Sequence, residues 1–111
     1  MEVKSKRAEY NQDDVELARF TKALSHPARI AIMKHLNHVG SCMGKDLVEL
    51  LPLAQATVSQ HVKELIDSGM VKVKRTPPSI IYFIDKGNWE TASQMISDLM
   101  DLGGKTPGKK I

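Results

Sequence analysis

A mainly helical chain with one small β-hairpin, in the order α-α-α-α-β-β-α, is predicted by three observations. Four stretches before Gly69 repeat apolar residues at helical spacing. Two segments, Met70 to Arg75 and Ile80 to Asp85, then read as strands around the turn Thr76-Pro77-Pro78-Ser79. A final long apolar stripe begins at Trp89. At 111 residues the chain holds one domain, with a core large enough to fold and a size at which a second subunit adds useful burial.

The first helix spans Val15 to Leu24, with Leu17, Phe20 and Leu24 on one face and Asp13 or Asp14 as its cap. Pro27 opens the second, where a missing amide donor costs nothing, and Ile30, Met33 and Leu36 supply the inward stripe. A short third helix runs from Lys45 to Leu51 with Leu47, Leu50 and Leu51 inward, and Pro52 stops it. The fourth begins after Ala54, which lacks the side-chain acceptor that Ser, Thr, Asp or Asn offers to free amides. Along it Val58, Val62, Leu65 and Ile66 share one side; Ala56, Gln60 and Lys63 lie opposite, flanked by Thr57, Ser59 and His61. Gly69 closes this helix in the left-handed conformation.

In the first strand Val71 and Val73 alternate with Lys72 and Lys74, which gives a buried face and a basic one. Asn88 then caps a last helix striped by Trp89, Ala92, Ile96, Leu99 and Gly103, with Met95 and Met100 beside them. By this division residues 1–12 form a flexible arm, 13–102 the folded domain and 103–111 a disordered basic tail.

Two helices joined by a few residues, the second with a polar outer face, followed by a basic hairpin, make a winged helix-turn-helix. Short donors and acceptors on that outer face suit base edges, and lysines suit phosphates. The net charge of +3 agrees with double-stranded DNA as partner without requiring it. Plainer readings stay open: a solvated surface helix, and wing lysines that only guard a sheet edge. No apolar run reaches the length of a bilayer span and no signal peptide core is present, so no membrane partner and a cytoplasmic protein are expected. The lone Cys42 excludes an internal disulfide and a paired-thiolate zinc site. No phosphate loop, activated nucleophile or ligand set is present, so neither an enzyme nor a cofactor is expected; Ser59 and His61, two residues apart on a helix, diverge.

The stretches ALSHPARIAIMKHL (23–36) and ATVSQHVKELIDSGMV (56–71), with Pro27-x-Arg29, Ser59-x-His61, the Leu65 to Gly69 spacing and Tyr82, resemble the ArsR/SmtB family of bacterial repressors over nearly the whole chain. The resemblance implies a homodimer through first and last helices, with Leu17, Phe20, Leu24, Trp89, Ala92, Ile96 and Leu99 at the interface. It also implies a repressor that binds an inverted-repeat operator. Carried over residue by residue, base and phosphate contacts fall on Gln55, Ala56, Thr57, Ser59, Gln60 and His61. Lys63, Lys72, Lys74 and Arg75 join them on charge.

Two departures stand out. Ala56 replaces a hydroxyl common in relatives, and Pro77-Pro78 replaces a Gly-Arg wing tip, so minor-groove insertion is not expected. The family's Cys-Val-Cys-Asp metal run is Met43-Gly44-Lys45-Asp46 here, and its last-helix Asp/His site retains Asp98 and Asp101 without a histidine. The usual metal sites are therefore absent. His35, His38 and Cys42 remain as a non-standard set that would make a metal-responsive repressor, against the simpler reading of a helix end carrying histidines. A winged-helix protein-interaction module is the alternative from another class.

Overall fold

The computed structural model describes residues 9–104, with side chains to Leu102. Five helices and a three-stranded sheet follow one another as α1 (Gln12–Ala23), α2 (Pro27–Val39), β1 (Ser41–Met43), α3 (Gly44–Leu50), α4 (Gln55–Asp67), β2 (Val71–Thr76), β3 (Ser79–Ile84) and α5 (Lys86–Gly104). The mainly α architecture with a β-hairpin wing is as expected.

Local chemistry sets most boundaries. Asn11 caps α1, its Oδ1 accepting from the Asp13 amide at 2.7 Å, so the cap lies two residues before Asp13. The His26 Nδ1 caps α2 by accepting from the Ala28 amide at 3.0 Å, with Pro27 in the first turn. Ala54 does head α4 without a side-chain hydrogen bond. Asp85 caps α5, its Oδ1 accepting from the Asn88 amide at 3.1 Å; Asn88, expected as the cap, lies inside the first turn. The helix continues through Gly103 and Gly104, two residues assigned to the tail. The rest of that tail, 105–111, and residues 1–8 of the arm lie outside the described residues.

The sheet has one strand more than the hairpin. β1 pairs antiparallel with β3, Cys42 opposite Tyr82, giving the order β1-β3-β2. Three residues are too few to show an alternation in sequence, and only their distant partner makes them a strand. In the hairpin Val71 faces Ile84 and Thr76 faces Ser79, leaving Pro77 and Pro78, joined by a cis peptide bond, as the turn.

The core gathers Phe20, Ile32, Leu36, Leu47, Val58, Leu65, Met70 and Val71, all essentially out of water. Ile32 rather than Ile30 fills the inward stripe of α2, and Ile30 is 44% exposed. On α3 Leu50 likewise turns outward, while Leu47 is buried. Two residues expected at a subunit interface, Phe20 and Ala92, are 1% exposed within the single chain, so their area is already consumed where α5 meets the core. Leu17, Leu24, Trp89 and Ile96 are half-buried. Leu99 is 47% and Met100 69% exposed. Among the described residues no helix is long and apolar enough to cross a membrane.

Candidate nucleic-acid interface

The outward face of α4 consists of exposed Gln55, Ala56, Thr57, Ser59, Gln60 and Lys63. Its other side is anchored by Val58, Val62 and Leu65 against the core, which prevents the helix from rolling. The polar set therefore projects from a fixed backbone. Lys63 Nζ meets Asp67 Oδ2 at 3.0 Å, and that partner holds the ammonium above the usual lysine range.

His61 departs from this face. Its ring is 9% exposed and its Nδ1 lies 3.1 Å from Arg29 Nη1, so it points to α2 and not to solvent. The spacing of Val58, His61, Val62 and Leu65, i, i+3, i+4 and i+7, carries that information, and grouping His61 by its polarity hides it. Arg29 is the residue sequence reasoning left without a structural role. Its Nε donates to the Ala23 carbonyl at 2.7 Å while Nη1 reaches His61, so one guanidinium joins the end of α1, α2 and α4. The His26 ring sits 4.3 Å from the His61 ring, centroid to centroid. Burial, then His26 and Arg29, push the His61 pKa below the ordinary histidine value, and Glu64 opposes them.

The far end of α4 is gripped by both terminal helices. Arg19 Nη1 from α1 donates to the Ser68 carbonyl at 2.7 Å and the Asp67 carbonyl at 3.3 Å. From α5, Asn88 Nδ2 donates to the Gly69 carbonyl at 2.8 Å. These bonds satisfy carbonyls that a helix end leaves free.

On the wing Lys72, Lys74 and Arg75 are exposed, and Lys72 Nζ pairs with Asp85 Oδ2 at 3.2 Å. Between α3, α4 and the wing runs an open groove of about 660 Å³, with Val48, Ile66 and Tyr82 along it and Lys45, Lys63 and Arg75 among its cations. The helix α4 and the wing thus form one continuous surface, with Lys63 on the helix side, Arg75 on the wing side and Lys45 and Glu49 on α3 between them.

The non-standard metal set does not assemble. Cys42 is buried in β1, where burial and Asp46 raise its thiol pKa, while His38 is exposed. Among the described residues no three His, Cys, Asp or Glu side chains could hold a metal ion together.

Known proteins carry the same design. Residues 24–74 match the family described as a helix-turn-helix domain. The HTH-type transcriptional regulator YgaV of Escherichia coli (strain K12) is 29% identical over 87 residues, 78% of this chain and 85% of that protein. The arsenical resistance operon repressor of Staphylococcus xylosus is 33% identical over 67 residues, 60% of this chain and 64% of the relative. The solved transcriptional repressor BigR from Xylella fastidiosa superposes with a TM-score of 0.61 at 28% identity, over 86% of this chain and 89% of its own. With the helix-turn-helix, the wing and these relatives in agreement, the chain carries a helix-turn-helix domain and is similar to DNA-binding transcriptional regulators, an arsenical resistance operon repressor among them.

Proposed function

We propose that the protein is a repressor that binds an inverted-repeat operator as a homodimer, reading base edges with α4 and holding phosphates with the wing. One observation carries this reading: the outer face of α4 presents Gln55, Thr57, Ser59 and Gln60 to solvent from a helix whose inner face is locked in the core. Side chains of this kind exchange paired hydrogen bonds with purine edges, and the exposed Ala56 methyl suits a thymine methyl. Lys63, Lys72, Lys74 and Arg75 lie on the same surface and supply the salt-dependent part of the affinity.

Dimerisation is supported by the exposed Leu99 and Met100 on α5, whose apolar area a second copy would cover. Phe20 and Ala92 are internal to the single chain, so Leu17, Leu24, Trp89, Ile96 and Leu99 are left to carry the interface. Two reading helices related by a twofold axis then meet half-sites about 34 Å apart. Met43 and Lys45 stand where the family's metal run has its cysteines, and the lone Cys42 is buried in β1, which supports induction by something other than a soft metal at the usual position.

The test is a salt-titrated binding assay on the promoter of the gene itself, with an unrelated duplex of equal length beside it. Selective binding by the wild type, lost in the double variant Ser59→Ala/Gln60→Ala, supports the assignment. Selective binding that survives the double variant moves the reading surface elsewhere, and no selective binding leaves the protein-interaction reading in its place.

A further inference from the structure

The junction between α2 and the reading helix holds two histidines and an arginine, and both hydrogen bonds made by the histidine rings use an unprotonated nitrogen as acceptor. Arginine only donates, so Nδ1 of His61 accepts from Arg29 at 3.1 Å and the neutral ring carries its proton on Nε2. Nδ1 of His26 likewise accepts, from the Ala28 amide at 3.0 Å. The two rings are 4.3 Å apart. The guanidinium of Arg29 cannot turn away freely, because its Nε is committed to the Ala23 carbonyl at 2.7 Å.

We infer that the Arg29–His61 hydrogen bond sets the seat of the reading helix on α2, and that a proton added to this cluster costs the protein its selectivity for its operator. The inference rests on α4 being the element that reads DNA. A protonated His61 has no acceptor for Arg29 and brings a second positive charge to a group 3.1 Å away at a partly buried junction. His26, the cap of α2, and Arg29 within it oppose the proton, and Glu64 on α4 itself favours it. The charged ring relieves the conflict by leaving its pocket. Because Val58 and Val62 share its side of α4, that movement shifts the whole helix.

The consequences for specific and nonspecific binding have opposite signs. Base-edge hydrogen bonds depend on the placement of Ser59 and Gln60 and weaken when the helix shifts. Attraction to phosphates gains from added positive charge. The ratio of the two affinities is therefore the sensitive quantity, and mere loss of folded protein lowers both together. Arg29 acts here as a positioning residue, with His61 as the group through which it works.

Fluorescence anisotropy is run with the full chain on two duplexes, the best binder selected from a randomised library and a scrambled duplex of the same composition. Ionic strength is held constant from pH 8 to pH 5, and circular dichroism confirms folded protein at each point. The wild-type ratio is expected to fall several-fold as pH drops below the ordinary histidine value, because the proton binds the displaced ring more readily than the seated one. His61→Asn, which keeps a side-chain acceptor for Arg29 and does not titrate, is expected to show the same ratio at both ends of the range. Arg29→Lys is expected to have a reduced ratio already at pH 8. A wild-type ratio that stays flat, or that falls equally in His61→Asn, overturns the inference. If the wild type shows no selectivity at pH 8, the reading of α4 itself fails instead, so the two failures are distinct.

Discussion

Asn88 at the start of α5 donates its side-chain amide to the carbonyl of Gly69, and the 2.8 Å bond ties the last helix to the turn where α4 ends. Gly69 sits at φ +89, a conformation that L side chains seldom adopt. A Cβ placed on it would lie 2.9 Å from Asn88 Nδ2. The glycine is thus required by its backbone and by its neighbour.

Gly69→Ala is expected to destabilise the fold by about 1–2 kcal/mol from the left-handed backbone, with an added loss as Asn88 is displaced. Asn88→Ala leaves the Gly69 carbonyl without this donor, at a cost of about 1–3 kcal/mol. Urea unfolding of the two single variants and their double checks both, and a double-variant loss smaller than the sum of the singles marks the shared contact. Simple addition would mean that the added Cβ does not disturb Asn88, and an Asn88→Ala variant as stable as wild type would mean that the bond contributes nothing.

Ala54→Ser supplies the side-chain acceptor that the start of α4 lacks. Stability is expected to rise by about 0.5–1 kcal/mol, read as a melting temperature higher by a few degrees. An unchanged melting temperature would show that the first amides of α4 are already satisfied by solvent.

Phe20 and Leu99 separate the two roles of the apolar surface. Phe20→Ala removes a side chain from the chain's own core and is expected to cost about 3–5 kcal/mol of folding stability. Leu99→Glu touches an exposed position and should leave the monomer folded while weakening self-association, which sedimentation over a concentration series measures. A dimer as tight as wild type in Leu99→Glu would place the interface off this part of α5.

Folding stability should depend on pH through His61. Its folded pKa is lower than the unfolded value, so the unfolded chain binds the extra proton first as pH falls. The contribution is complete above the ordinary histidine value of about 6.5, declines below it and is gone once the lower folded value is passed. Thermal unfolding of wild type and His61→Asn between pH 8 and pH 5 tests the sign, with the wild type expected to lose more. A larger loss in the variant would reverse it.

Lys72 tests the wing. Lys72→Ala should weaken specific and unrelated duplexes alike and reduce the slope of log affinity against log salt by about 1. Its ion pair with Asp85 is exposed on the lysine side, so the stability change should be small. A variant that changes selectivity would give Lys72 a role in reading bases.

How much of this was legible beforehand depends on the range over which each feature is decided. The helices, the uncapped start of α4 at Ala54, the Gly69 stop and the polar outer face from Gln55 to Lys63 follow from spacing and residue type within a turn or two, and the sequence determined them by itself. The tertiary structure alone decided that Ser41–Met43 becomes a strand, because its partner Ile81 to Phe83 is some forty residues on. It alone decided that Phe20 and Ala92 close the chain's own core. It also chose Asp85 over Asn88 as the cap of α5, since Asn88 is drawn to the Gly69 carbonyl across the fold. His61 lies between these cases: helical spacing permits it to face inward, but only Arg29 waiting on α2 makes burial of an imidazole affordable. Periodicity is a property of neighbours along the chain, whereas satisfaction of a buried polar group is a property of what packs against it.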